Sequence, residues 1–248
     1  MIATVDIADR LFYSDAMVGI VTGGSKGIGL AIARAFLERG MQVTISARKD
    51  ADLDKAARTL GAGANVHTIR ADVRDPAEAQ RLVDDTVRRF GGVDVLVNNA
   101  GVGKFASVAD MSLDDWRQVL DTNLSGVFHC SRAAIPAMKT RGAGFIINIS
   151  SLAGKNPFSG GAAYCASKAG LNAFSEALMQ EVRHDNIRVS SVLPGSVSTG
   201  FGDRGSSGEA DWKLSPDDVA RVVVDLVAHD ARSLPSRVEI RPSRPAKK

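Results

Sequence analysis

"MVGIVTGGSKGIGLAIARAFLERG", Met17 to Gly40, decides the fold. A short apolar, β-branched run leads into glycines at 23, 24, 27 and 29. Beyond them Ile28, Ile32, Ala35, Phe36 and Arg39 recur at three- and four-residue spacing, which predicts a helix that Gly40 stops. Strand, glycine turn and helix in that order open a β–α unit. Glycine tolerates positive φ and lets backbone N–H groups approach a phosphate closely. The helix start adds unpaired donors and the positive end of its dipole. An ordinary glycine turn is the plain alternative, but the position at the first β–α junction favours a dinucleotide cradle. Its candidate contacts are Gly23, Ser25, Lys26, Gly27, Ile28 and Gly29.

Working outward, the alternation persists. "QVTISA", "NVHTIRADV", "VDVLVNNAG", "GFIINISS", "IRVSSVLPG" and "SRVEIRPS" read as further strands. Helical patterns lie between them, including one long helix from Ser112 to Gly142 and another in "AAYCASKAGLNAFSEALMQEVR". Asp75 followed by Pro76 marks one helix start, and the S-x-x-D of Ser112 and Asp115 another. Short, apolar strands separated by helices predict an α/β fold. It is a Rossmann-type, doubly wound, seven-stranded parallel sheet flanked by helices, in a single domain over 18–241. Seven units are too few for an eight-stranded barrel. Residues 1–17 read as a lead-in and 242–248 as a basic tail.

Composition narrows the function classes. With net charge +3 and no block of like charges, a nucleic-acid partner is not expected despite a pI near 9.0. No run of eighteen apolar residues predicts a membrane span, and the first residues lack a secretory pattern. Cys130 and Cys165 show no metal-type spacing and read as buried thiols of a cytoplasmic protein.

Other strand ends bear on the same dinucleotide. Asp72 and Val73 close the third strand, where a carboxylate can accept from adenine; a plain turn is the alternative. "NNAG" closes the fourth, and Asn99, Ala100 and Gly101 join the candidate contacts. Adjacent asparagines are poor strand formers, which favours a hydrogen-bonding task. At the end of the second strand, a carboxylate would hold the ribose 2′-OH of NAD. Ala47 stands there instead, followed by Arg48 and Lys49. Arg48 can grip a phosphate bidentately, so the reading prefers NADP(H) over NAD(H); a solvated charge at a helix start is the alternative.

"YCASK" places Tyr164 and Lys168 one above the other on a helix. Alone, that is an apolar rim with a snorkelling lysine. Together with TGGSKGIG, NNAG, Asn123 in "DTNLSG", "NISS" and "LPG", in order from Val18 to about Gly200, the chain resembles a classical short-chain dehydrogenase/reductase. The resemblance implies a catalytic set of Asn123, Ser151, Tyr164 and Lys168. Tyr164 would be the proton donor and Lys168 would hold the nicotinamide ribose and favour the phenolate. Ser151, thirteen residues before Tyr164 and preferred to Ser150, would orient the carbonyl. Asn123, a poor helix former in mid-helix, would hold a water of a proton path at a break there; a plain helix kink is the alternative. Pro194, Gly195, Val197 and Thr199 would border the nicotinamide, and residues 200–213 would be a mobile substrate lid or a connector.

The implied reaction is NADPH-dependent reduction of a ketone or 3-oxoacyl carbonyl to a secondary alcohol, with a lean toward 3-oxoacyl-acyl-carrier-protein reductase-like members. Oxidation of a sterol, sugar or polyol alcohol is the alternative, and a non-catalytic dinucleotide sensor a third. Phe105, Phe158, Phe201 and Trp212 are candidates for an apolar pocket, and Lys104, Lys155 and Arg204 for attracting an acidic carrier. A homodimer or homotetramer is expected, with Ala133, Ala134, Ala166, Ala169 and Gly170 permitting close helix approach. The last strand lacks the glycine pair usual in tetrameric relatives.

Overall fold

The computed structural model describes residues 17–61, 63–201 and 212–245. The lead-in up to 16, most of the proposed lid with Arg204, and the end of the basic tail therefore lie outside the described residues. Among the described residues seven strands form one sheet: β1 (Val18–Thr22), β2 (Gln42–Ala47), β3 (Val66–Arg70), β4 (Val95–Asn98), β5 (Gly144–Ile149), β6 (Ile187–Pro194) and β7 (Arg237–Ile240). The order is β3-β2-β1-β4-β5-β6-β7, and every pairing is parallel. β1 lies between β2 and β4, with Ile20 opposite Thr44 on one side and Leu96 on the other. The chain reverses its direction of winding there, so a crevice opens at the carboxyl ends of β1 and β4.

Two-residue alternation sorts the strands onto two cores. Val21, Val97 and Ile147 face α1 (Gly27–Glu38) and α7 (Pro216–Val227), meeting Ile32, Phe36, Val219 and Val223. Their chain neighbours Ile20, Leu96 and Ile146 face the opposite way. They meet Leu82 and Val83 of α3 (Pro76–Phe90), Ala134 and Met138 of α5 (Gly126–Arg141) and Leu178 of α6 (Ala162–Val182). Full burial stabilises each large side chain by about 1.5–3 kcal/mol. Short α2 (Asp50–Thr59) covers the β2–β3 edge with Leu53 and Ala56. A sheet buried on both faces explains why the strands read as apolar runs.

The predicted caps are present. Asp75 accepts from Ala77 N–H at 2.8 Å, and Ser112 accepts from Asp115 N–H at 3.0 Å to start α4 (Leu113–Leu120). Two expectations need correction. The single long helix is interrupted by a π turn at Asp121–Ser125, between α4 and α5. Asn123 supplies the reason: its side chain bonds Val102, outside the helix. Ala133 and Ala134 are packed in this chain's own core, at 5% and 0% exposure, and offer nothing to a partner helix.

Candidate active site

The strand ends assemble the site from the glycine loop outward. Gly23 and Gly27 sit at φ 63° and 55°, the left-handed region that favours glycine. Gly29 is glycine for a different reason. A Cβ there would fall 2.4 Å from Gly23 O and 2.5 Å from Asn99 Nδ2. Asn99 donates from Nδ2 to Thr22 O (3.0 Å) and Gly23 O (3.2 Å), stapling the end of β4 to the loop. Thr22 completes the joint: its hydroxyl oxygen accepts the N–H groups of Asn99 and Ala100, each at 3.0 Å. Thr22 was not among the sequence candidates; its position as the last residue of the first strand was the available signal.

The start of α1 is left open. α3, α4 and α7 are each capped by a side chain, whereas Lys26 at the start of α1 makes no side-chain cap and the first turn holds no acid. Lys26 is exposed and Ser25 and Ile28 half-buried beside it. Thr199 leans over the loop, its Cγ2 3.4 Å from where a Gly27 Cβ would stand. Pro194 ends β6, Gly195 N–H is held by Ile240 O at 2.8 Å, and Val197 pairs with Leu214.

Asp72 is half-buried just after β3. Both its carboxylate oxygens accept from the Arg74 guanidinium, at 2.6 to 3.0 Å, which holds the acid below its usual range. Val73 is buried, and its carbonyl meets His129 Nδ1 at 3.0 Å. Arg48 is exposed at the end of β2, close enough to act on Asp72 electrostatically.

The second half of the site rests on α6. Tyr164 lies within electrostatic reach of Ser151, the cap of a 3₁₀ turn (Leu152–Gly154) that follows β5. Ser150 turns away, donating to Asn172 Oδ1 at 2.6 Å. Lys168 is buried, with Nζ 5.8 Å from the Tyr164 ring centre and donating to Ile149 O at 2.8 Å. Asn123 is fully buried. It donates to Val102 O (2.9 Å) and Ser167 Oγ (3.1 Å) and accepts from Val102 N–H (2.8 Å). Gly101 lies between this group and Lys168, 3.3 Å and 4.0 Å from a notional Cβ. Beneath them Asn98 donates to Asn148 (2.9 Å) and Ser131 (3.1 Å), and Asn148 to Ser175 (2.8 Å), a buried ladder that ties β4 and β5 to α5 and α6. The asparagine inside "NISS" was its signal in the sequence.

With no dinucleotide charge beside it, burial pushes the Tyr164 phenol up, and Ser151 opposes that shift. Burial likewise brings Lys168 from 10.5 down to about 8. Between those values the unfolded chain binds a proton that the folded chain does not, so this group makes stability rise with pH across that window. Below pH 8 the burial penalty is present in full. Cys130, pushed from 9.0 up to about 12, acts in the opposite sense above pH 9. Denaturant midpoints at pH 8 and 9 are therefore expected to rise less in Lys168→Met than in the native chain. Equal rises would place the ammonium in water.

The comparisons with known proteins agree with this geometry. The short chain dehydrogenase family profile matches residues 17–210. Sepiapterin reductase of Chlorobaculum tepidum is 33% identical over 232 residues, covering 90% of this chain and 95% of that one. A 3-oxoacyl-[acyl-carrier-protein] reductase of Synechocystis sp. is 37% identical over 186 residues, 74% of this chain and 75% of that one. A serine dehydrogenase solved in its closed form with NADP+ superposes with a TM-score of 0.83 at 31% identity, covering 90% of this chain and 94% of that one. The chain belongs to the short-chain dehydrogenase family. It is an NAD(P)-dependent oxidoreductase. Its residues fit the dinucleotide: the uncapped start of α1 offers donors to the diphosphate, and the cradle floor at Gly29 has no room for a side chain. Among the described residues no helix is long and apolar enough to cross a membrane.

Proposed function

We propose that this enzyme uses NADPH to reduce a ketone or 3-oxoacyl carbonyl to a secondary alcohol, with Tyr164 donating the proton. The observation that carries the reading is the gathering of Ser151, Tyr164 and the buried Lys168 beside the glycine cradle, with Lys168 Nζ 5.8 Å from the Tyr164 ring centre. The dinucleotide supplies hydride when bound. Ser151 orients the carbonyl oxygen toward the phenol. Tyr164 gives that oxygen its proton as negative charge develops. Lys168, three donors on a short tether, holds ribose hydroxyls and stabilises the phenolate left behind. Asn123 fixes Val102 and the π turn, and a water at that turn carries the replacement proton from solvent to Lys168. Gly101, Ala100, Pro194, Gly195, Val197 and Thr199 border the nicotinamide.

NADP(H) is preferred over NAD(H) on this reading. Exposed Arg48 and Lys26 flank the place where a 2′-phosphate would lie, and Ala47 leaves it without a carboxylate. Arg48→Glu is expected to weaken NADPH binding about 10- to 100-fold, as charge-assisted hydrogen bonds of roughly 1.5–3 kcal/mol are lost. NADH titrated in parallel should change by less than about threefold, for lack of a phosphate to repel. A parallel fall in both would reject the preference. The enzyme is taken to work in the cytoplasm as a homo-oligomer. Exposed Trp116 and Phe128, on α4 and α5, support that association, and light scattering reads it directly.

A further inference from the structure

Two aromatic rings flank Tyr164 and a third packs on one of them, each from a different loop. Phe105 follows β4, and its ring lies 5.7 Å from the Tyr164 ring at 65°. Phe201 follows β6 and lies 5.7 Å from Tyr164 at 56°. Phe158 follows β5 and stands 6.0 Å from Phe105. These are edge-to-face and tilted spacings, which leave ring faces available to a further aromatic group. Phe158 and Phe201 are 46% and 43% exposed, so much of that ring surface faces the open cleft.

The arrangement is built into the backbone. A Cβ at Gly103 would lie 2.8 Å from Phe201 Cε1 and 2.9 Å from Phe105 Cζ. A Cβ at Gly161 would lie 2.5 Å from Phe158 Cε2. All three rings are thus seated on bare glycine backbone. Among the described residues, the two lysines that are candidates for attracting an acidic carrier face carboxylates. Lys155 is paired with Glu239, and Lys104 stands 3.8 Å from the Asp115 carboxylate. The described rim therefore offers apolar ring surface with these lysines engaged by carboxylates.

We propose that Phe105, Phe158 and Phe201 form a specificity box for the flat ring of a neutral ketone, with its carbonyl at Tyr164, and that the box disfavours linear and anionic carbonyl substrates. The proposal rests on the reductase reading and names its substrate class. An anion entering this rim would lose hydration and find Lys104 and Lys155 already paired. A linear chain would cover the ring faces less completely than a planar ring does.

The test follows NADPH absorbance in the full-length enzyme with acetophenone, 2-octanone and 4-acetylbenzoate. Acetophenone is expected to exceed each of the other two in kcat/KM by tenfold or more. Phe105→Ala and Phe158→Ala are expected to collapse the acetophenone to 2-octanone ratio at least fivefold. Phe158 is half exposed, so its truncation leaves the core intact. Equal use of the three ketones, or a ratio unmoved by both variants, overturns the proposal. Saturation-transfer NMR of acetophenone on the cofactor-loaded enzyme separates the box from the chemistry. Ring contacts that weaken in Phe158→Ala, without turnover of any ketone, would uphold the box and reject the reductase reading. Absence of both turnover and ring contact would reject the two together.

Discussion

Tyr164→Phe is expected to lower kcat by about 10³-fold or more, within the range that a positioned acid contributes. The phenyl ring keeps its place among Phe105, Phe201 and the Lys168 stem, so the cleft retains its shape. What goes is one proton donor within electrostatic reach of Ser151. Stability should fall by only about 1 kcal/mol, the usual worth of one hydrogen bond. NADPH affinity, measured by fluorescence titration, should stay within about twofold, because Tyr164 is one of many cofactor contacts and the glycine cradle and Lys168 remain. A variant that keeps a tenth of the native rate would assign the proton to another group.

Gly29→Ala is the second large effect, and its cause is steric. The added methyl meets Gly23 O at 2.4 Å and Asn99 Nδ2 at 2.5 Å. Neither can withdraw cheaply, since Asn99 is bonded to both Thr22 O and Gly23 O. Overpacking of this kind costs roughly 1–3 kcal/mol. Relief comes only by opening the joint between β1 and β4, which is the floor of the cradle. Dinucleotide binding should weaken about 100-fold or more, since both the strain and the lost backbone donors act on it. Calorimetric titration checks this; affinity within threefold of native would show that the cradle lies elsewhere.

The sheet was legible because its determinants are local. Apolar runs, glycine stops, Asp75–Pro76 and Ser112 each act within a few residues, and the alternation then allows few topologies. The candidate set at Ser151, Tyr164 and Lys168 was legible for a related reason: two members share one helix face, and the third sits at a fixed strand end. The break at Asn123 was legible as a poor helix former in mid-helix, but its π form was not, because it depends on a bond to Val102, 21 residues away. The ion pair of Asp72 with Arg74 carried no pattern in the sequence. The inward turn of Ala133 and Ala134 was hidden too, since small residues suit a core and an interface alike. The phenylalanines could be named singly; their meeting beside one tyrosine depends on three loops brought together by the sheet.

The strand order also sets a timetable for synthesis. As the chain leaves the ribosome, β1, β2 and β3 are available to one another early, within the first 70 residues. The other edge of β1 must wait for β4, whose Leu96 pairs with Ile20 across 76 positions. Until then a wholly apolar strand presents unsatisfied amides and carbonyls, the kind of edge that recruits foreign strands. The nascent protein is therefore most vulnerable to clumping before Asn98 emerges, and holdase chaperones would have their greatest effect on yield in that interval.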